Sequence, residues 1–304
     1  MRILVMAAGF VIAAATAASQ TPPEATSLLG KPLVPAPQPE PQRLRNEENL
    51  ASAKAVFDND PSSAEATIWL GRRTAYLGRF RDAIAIYTRG IERHPSDARF
   101  LRHRGHRYIT VRELDRAVAD LSKAAALVKN RPDETEPDGQ PNAKNIPTST
   151  LNTNIYYHLG LAHYLRGNLD QALDAYRECL RFSKNPDMLV ATSHWLYMTL
   201  RRLNRVNEAA TVLASITAEM DIIENASYHK LLMLYKGNET AERLLPAAGG
   251  LDAVTIGYGV GNWHLYNGRR DQARKIFATI VDTNASQWPA FGYIAAEAEL
   301  ARDR

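Results

Sequence analysis

The chain has 304 residues, of which 45% are apolar and 23% charged, a composition typical of a globular protein with a sizeable core. Its formal net charge of +4 is a mild excess, sparser than the basic patch that nucleic-acid-binding domains usually carry. Cys179 is the sole cysteine, which excludes an intrachain disulfide and a cysteine-rich metal motif.

The first residues have the pattern of a secretory signal peptide. A basic residue at position 2 precedes Ile3–Ala15, an unbroken run of apolar or small residues, and "ATAAS" (Ala15–Ser19) offers small residues for cleavage. Because the apolar run is short for a membrane span, we expect residues 1–18 to be removed and the mature protein to be exported, to the periplasm or the medium. A retained N-terminal anchor is the competing interpretation.

The next segment, residues 19–44, is rich in proline and is predicted to be an extended linker. It nevertheless contains "SLLGKPLV", with four large apolar side chains that a simple spacer does not need. These residues indicate packing against the following domain: Leu28, Leu29, Leu33 and Val34.

From residue 45 onward the chain has the pattern of short helices, and it is self-similar. The stretches "WLGRRTAYLGRFRDAIAIYTRGIERHP" (Trp69–Pro95) and "YHLGLAHYLRGNLDQALDAYRECLRFSKNP" (Tyr157–Pro186) share one order of residues. Each has Leu-Gly, a second Gly seven residues later, Ala five residues after that, and Tyr four residues further on. A third copy, "GNWHLYNGRRDQARKIF", follows from Gly261, and Gly71 lies 34 residues before Gly105.

This pattern resembles the tetratricopeptide repeat, a 34-residue unit of two antiparallel helices. The glycine of the first helix would let the second helix approach closely, and the glycine between the helices would take the left-handed conformation of a turn. The resemblance implies an all-α fold, a right-handed α-solenoid of about six helix pairs with capping helices. We expect the domain at 45–304 and its repeats at 64–97, 98–131, 153–186, 190–222, 223–253 and 254–287.

An insertion at residues 132–152 interrupts the array. The stretch "RPDETEPDGQPNAKNIPTSTLN", from residue 131, holds four prolines and has no helical periodicity. Loops of this length in a folded domain are usually functional or mobile.

The resemblance also implies which residues face the concave surface, because the first helix of each repeat lines that surface in this family. The predicted groove is cationic and aromatic, which favours an acidic peptide or a C-terminal carboxylate as its guest. Its predicted residues are Arg72, Tyr76, Arg102, His106, Tyr157, Tyr164, His194, Arg201, Arg202, Tyr258, Asn262 and Tyr266.

The stretch "RHRGHRY" (Arg102–Tyr108) resembles a catalytic or metal-binding cluster at first sight. In the repeat frame, only Arg102 and His106 share the groove face, one helical turn apart. His103, Arg104 and Arg107 are expected to point sideways or outward.

No catalytic, metal or cofactor site is predicted. No histidine pair has the i, i+4 spacing of a helical ligand pair, and Cys179 falls where the repeat places a small buried residue. We therefore predict a non-catalytic protein-binding scaffold of the cell envelope, with a protein or peptide partner that carries acidic groups, no nucleic acid and no stable membrane span.

Two alternatives stay open. The density of Tyr, Trp and His on first helices is also compatible with an enzyme or a sensor of small molecules or anions. In the other alternative, the groove is occupied by the chain itself, through residues 20–44 or the insertion.

Overall fold

Short helices joined by tight turns form nearly all of the computed structural model, which describes residues 22–245 and 250–303. The predicted signal peptide lies outside the described residues. In chain order the helices are α1 Glu40–Asn59, α2 Ala64–Tyr76, α3 Phe80–Arg93, α4 Ala98–Thr110, α5 Leu114–Val128, α6 Leu151–Arg166, α7 Leu169–Phe182, α8 Pro186–Arg202, α9 Val206–Val212, α10 Ala226–Lys236, α11 Ala241–Leu244, α12 Gly250–Tyr266, α13 Arg270–Thr283 and α14 Phe291–Arg302.

Glycine in the first helix of a pair allows the close helix packing that the spacing predicted. A Cβ atom on Gly71 would lie 2.4 Å from the ring of Tyr87, and one on Gly160 would lie 2.7 Å from the ring of Tyr176. Between the helices, Gly167 has φ +81°, a left-handed conformation that L side chains rarely adopt. The repeated glycines and aromatic residues therefore make the helices pack as antiparallel pairs.

The fourth and fifth pairs are irregular, because their second helices, α9 and α11, have only seven and four residues. The buried carboxylate of Asp187 compensates by organising the loop before α10. It accepts hydrogen bonds from the backbone N–H groups of Ile223, Glu224 and Asn225 at 2.7–2.9 Å. The helix that carries Asp187 begins at residue 186, four residues before the predicted start of its repeat.

The proline-rich segment is not a free linker. Strands β1 (Ala25–Thr26) and β2 (Pro32–Leu33) form a small antiparallel hairpin. Leu33 is buried and Leu28 and Leu29 pack against the core, as their apolar character indicated, whereas Val34 is 42% exposed. Helix α1 begins at residue 40, so the predicted extended linker is wrong for residues 40–44, where proline fits the first turn of a helix.

The end of the array folds back onto its beginning and closes the solenoid. The guanidinium of Arg112, in the turn after α4, forms a buried ion pair with Glu297 of α14 at 2.7 Å. The indole of Trp288 packs edge-on against Phe80 at a ring distance of 5.4 Å and donates a hydrogen bond to the carbonyl of Val34 at 2.8 Å. Helix α14 also contacts α6, α12 and α13. The first helices of the repeats consequently meet around a filled interior.

Candidate functional site

Five of the twelve predicted groove residues are core residues, which corrects the prediction for them. Their exposed fractions are 7% or less, because facing first helices and α14 close over them: Tyr157, Tyr164, His194, Tyr258 and Asn262. Two hydroxyl contacts join the helices there. The indole of Trp195 donates to the hydroxyl of Tyr157 at 2.7 Å, and the hydroxyl of Tyr258 donates to that of Tyr164 at 2.8 Å.

The arginines of α8 are engaged by the chain itself. Arg202 forms an ion pair with Glu299 of α14 at 2.7 Å. Arg201 donates hydrogen bonds to the hydroxyl of Tyr197 and to Asn267, both at 3.0 Å, and its guanidinium lies 4.4 Å from the ring centre of Tyr266. Their internal partners leave them poorly placed to hold an external anion.

Tyr266, an eighth predicted residue, packs against Arg201. The remaining four predicted residues come together around one small cavity. Arg72 and Tyr76, one turn apart on α2, face Arg102 and His106, one turn apart on α4. The cavity has a volume of about 120 Å³. Its other lining residues are Ala75, Tyr87, His103 and Arg107.

His103 and Arg107 were predicted to point sideways or outward, and this prediction is wrong. His103 stacks on Tyr87 with a ring distance of 5.5 Å, and both residues line the cavity. His103 and Arg107 are four positions apart and thus lie on one face of α4, beside the face formed by Arg102 and His106. That spacing was a signal in the sequence for their shared location.

Arg104 lies outside the cavity, as predicted. It forms a bidentate ion pair with Asp120 of α5, with N–O distances of 2.7 and 2.8 Å.

The cavity carries an excess of positive charge. Arg102 is only 8% exposed; one of its terminal nitrogens lies 2.9 Å from a carboxylate oxygen of Glu136, in the insertion, and its Nε is buried without a partner. Burial lowers the pKa of Arg107 to about 10, which leaves it charged at neutral pH. Three arginines thus surround the cavity with one carboxylate in ion-pair contact among the described residues.

The histidines near the cavity are neutral. Burial, followed by the nearby arginines, lowers the pKa of His103 and His106 well below the ordinary value. The ring of His106 lies 4.3 Å from that of His158, whose pKa burial lowers to about 3. Neutral imidazoles add hydrogen-bonding groups to the site and no charge.

His106 also lines a second cavity, at the N-terminal ends of α10, α12 and α14. This cavity has a volume of about 320 Å³ and combines aromatic rings with acidic groups. Its lining includes Tyr228, Phe291, Glu224 and Asp252. The cationic cavity is therefore separated from a wider cavity by the side chain of His106.

Cys179 has the surroundings of a packing residue. It is fully buried, its sulfur lies 3.2 Å from the hydroxyl of Thr192, and burial raises the pKa of the thiol to about 11. Within residues 22–245 and 250–303, histidine, cysteine and carboxylate side chains form no group of three or more that could hold a metal ion. None of the helices in these ranges combines the length and the apolar character needed to cross a membrane.

Two family models agree with this architecture of paired helices. Models of the tetratricopeptide repeat match residues 70–134 and 153–186. Among solved structures, the TPR protein YrrB, described as having an unusual peptide-binding site, is 14% identical over 82% of this chain and 97% of its own, with a TM-score of 0.44. Pseudomonas aeruginosa pilF is 16% identical over 81% of this chain and 89% of its own, with a TM-score of 0.46.

A curated relative, the BBSome complex member BBS4 of Bos taurus, is 26% identical over 161 residues. The aligned region is 52% of this chain and 27% of the relative, so the chain spans about a quarter of that protein's length.

The repeated helix pairs and the family matches define the class of the protein as an all-α repeat scaffold for protein–protein interaction. The chain contains repeats of the tetratricopeptide family, at residues 70–134 and 153–186. Members of this family are generally non-catalytic.

Proposed function

We propose that this protein is a scaffold of the cell envelope that holds an acidic or C-terminal peptide segment of a partner protein at the cavity between α2 and α4. The observation that carries the proposal is the convergence of Arg72, Arg102 and Arg107 on one small cavity with a single paired carboxylate. An excess of buried or half-buried guanidinium groups favours an anionic guest, since an unpaired charge away from water is costly.

The size and lining of the cavity suit the carboxylate of such a segment. A volume of about 120 Å³ is sufficient for a carboxylate group. Arginine presents a planar fork that matches a carboxylate, and Tyr76 and Tyr87 supply apolar surface beside it. The adjoining cavity beyond His106 offers aromatic surface for a neighbouring side chain of the same segment. The bovine relative, a member of a protein complex, is compatible with this kind of role.

Removal of charge from the cavity tests the proposal. Of the three cavity arginines, Arg72 and Arg107 make no ion pair among the described residues. We expect Arg72→Gln with Arg107→Gln to weaken binding of an acidic C-terminal peptide at least tenfold, measured by fluorescence anisotropy. A matched control, Arg274→Gln with Lys275→Gln, removes the same charge from the exposed face of α13. Equal affinities of the two double variants, both shown to be folded by circular dichroism, would refute the proposal.

The small volume of the cavity also favours a second candidate, the sensing of a free small anion. A thermal-shift titration with inorganic phosphate and with acetate separates the two candidates. The peptide proposal predicts that a peptide raises the melting temperature at lower concentration than either free anion. The sensor candidate predicts the reverse order.

Export to the envelope is the remaining part of the proposal, and the pattern of the first eighteen residues supports it. Edman sequencing of the protein from fractionated cells should find a new N-terminus near residue 18 or 19. An intact N-terminus in the cytoplasmic fraction would contradict this location.

A further inference from the structure

The insertion between α5 and α6 forms a strap, residues 129–150, across the cationic cavity. Its two ends lie side by side: the N–H of Glu136 donates to the carbonyl of Ser149 at 3.1 Å, and that of Leu151 donates to the carbonyl of Glu134 at 2.8 Å. Thr135 and Thr150 form the corresponding antiparallel bridge. The strap therefore leaves the array and returns to it at one point, as a closed loop with an anchored base.

Glu136 of the strap occupies the position expected of a guest carboxylate. Its side chain is only 10% exposed; one oxygen lies 2.9 Å from Arg102, and the other accepts a hydrogen bond from Asn154 at 3.1 Å. The imidazole of His103 lies 3.8 Å from the same oxygen that faces Arg102. The strap thus supplies the carboxylate that is paired with Arg102.

A second acidic residue follows two positions later with its charge less well satisfied. Asp138 is half-buried, and its Oδ2 has no hydrogen-bond partner. Burial and the charge of Glu224 raise the pKa of Asp138, while Arg72 acts in the opposite direction.

The backbone at Gly139 lies directly on the cavity residues of α2. Its carbonyl accepts a hydrogen bond from Arg73 at 2.7 Å. A Cβ atom at this position would lie 1.8 Å from the hydroxyl oxygen of Tyr76 and 2.9 Å from a terminal nitrogen of Arg72. A residue with a side chain at this position would require the ends of the Tyr76 and Arg72 side chains to move.

The far part of the strap is held by polar contacts, which are exposed except at Thr148. Asn142 and Thr148 donate hydrogen bonds to Glu224 at 2.5 and 3.0 Å, and Lys144 pairs with Asp221 at 3.1 Å. The one large apolar side chain of this part, Ile146, is 50% exposed. Segments with few buried apolar contacts open at low free-energy cost, so a competing ligand can displace this one.

We infer that the strap segment Glu136–Gly139, with the sequence "EPDG", is an internal ligand of the cationic cavity. The partner segment then has the same pattern, two carboxylates two residues apart followed by glycine, and it binds by displacing the strap. This inference rests on the proposed function and names both the chemistry of the partner and the competitor that it meets.

The test removes the two strap carboxylates and adds the segment back in trans. The probe is a fluorescent peptide with the sequence of residues 133–142, "DETEPDGQPN", titrated into the full chain. We expect Glu136→Gln with Asp138→Asn to bind it at least tenfold more tightly than the unaltered protein, because the internal competitor has lost its charge. A peptide with Gln in place of Glu136 and Asn in place of Asp138 should bind neither protein. The matched control is Asp174→Asn with Glu178→Gln, which changes the net charge equally on α7, away from the strap.

The outcomes separate the two claims. Equal affinities of the strap variant and the unaltered protein overturn the internal-ligand inference and leave the proposed function standing. Absence of binding to both proteins overturns the proposed function together with the inference. Adding Arg72→Gln and Arg107→Gln to the strap variant must abolish the gain in affinity, or the peptide binds elsewhere and the inference fails.

A second measurement does not depend on any substitution. Hydrogen exchange of the unaltered protein, followed by mass spectrometry, should accelerate in residues 136–148 when the unlabelled peptide is added at saturation, because displacement of the strap exposes its amides. Unchanged exchange in the strap at saturation would overturn the inference.

Discussion

His194 shows how a polar residue at a predicted groove position becomes part of a core. Its ring stacks between Tyr228 and Tyr235, with ring distances of 4.7 and 5.8 Å, and lies edge-on to Trp195 at 5.5 Å. Burial lowers its pKa to about 3, so the folded protein holds it as the neutral imidazole. The side chain behaves as an aromatic packing residue with one weak polar contact, to the hydroxyl of Tyr235 at 3.4 Å.

This environment predicts a pH-dependent stability. Because the pKa of His194 is about 3 in the folded chain and about 6.5 when unfolded, the unfolded state binds a proton between these values that the folded state does not. The free energy of unfolding should therefore fall as the pH drops below about 6.5, by at most about 1.4 kcal/mol per pH unit for each such histidine.

Replacement by a ring that does not titrate tests this prediction. His194→Phe should make the decrease in unfolding free energy between pH 7 and pH 5 smaller than in the unaltered protein, as measured by urea denaturation. Equal decreases in the two proteins would show that His194 is accessible to protons in the folded state.

At the scale of secondary structure, α14 is the element whose placement matters most. The repeat pattern predicted capping helices, and α14 follows the last predicted repeat. In the structure it contacts α6 and α12, and its residue Phe291 lies 5.4 Å from the ring of His106 on α4. The cap therefore closes one side of the interior and contributes to the wall of the cavity beyond His106.

The crossing of α14 and α12 depends on Gly292. A Cβ atom there would lie 2.2 Å from the backbone carbonyl oxygen of Val254, and a backbone atom cannot move aside as a flexible side chain can. We predict that Gly292→Ala lowers the free energy of unfolding by about 2 kcal/mol, within the range for overpacked sites.

The control is Gly257→Ala, also at a buried helical position. Its added Cβ would meet only the side chain of Ile280, at 3.1 Å. Replacing Gly by Ala in a helix also stabilises the helix by about 1 kcal/mol, because alanine has the higher helix propensity. Thermal denaturation of the two variants should show a clear loss of stability for the first and a small change for the second. Equal losses of stability in the two variants would mean that the crossing of α14 and α12 does not depend on Gly292.

At the scale of the whole molecule, one buried ion pair joins residues 185 positions apart. The side chains of Arg112 and Glu297 are 3% and 0% exposed. Arg112 also donates to the carbonyl of Trp288 at 2.8 Å, and Glu297 accepts a hydrogen bond from the backbone N–H of Leu28. The pair thus ties together the hairpin, the second repeat and the last helix.

Removing one member of this pair should be costly. We predict that Glu297→Gln lowers the free energy of unfolding by about 3–5 kcal/mol, because it leaves the Arg112 charge buried without its counter-ion. Arg112→Met combined with Glu297→Leu should recover much of this loss.

A surface pair provides the comparison. Arg43 and Glu47 on α1 are 44% and 48% exposed, and Glu47→Gln should cost at most about 1 kcal/mol. Urea denaturation of all three variants measures the differences. A loss at Glu297 no larger than at Glu47 would mean that the closure contributes little to stability.

The repeat spacing determined the helix pairs because their contacts are local. Gly71 meets Tyr87 sixteen residues later, and Gly160 meets Tyr176 at the same interval, so residue types at fixed intervals carry the packing. The same spacing brought Arg72, Tyr76, Arg102 and His106 to one place, since adjacent repeats set their first helices side by side. The packing of a helix pair against its neighbour can thus be predicted from a single sequence.

Only the tertiary structure decided that the groove is filled and the solenoid closed. The contacts responsible, Arg112 with Glu297 and Arg202 with Glu299, join distant segments, and no repeat period relates their positions. The same holds for Glu136, because the strap lacks periodicity and its carboxylate meets Arg102 through the path of a loop. Sequence alone determined a repeat protein with a cationic inner face; long-range packing decided which of its charges remain available to a partner.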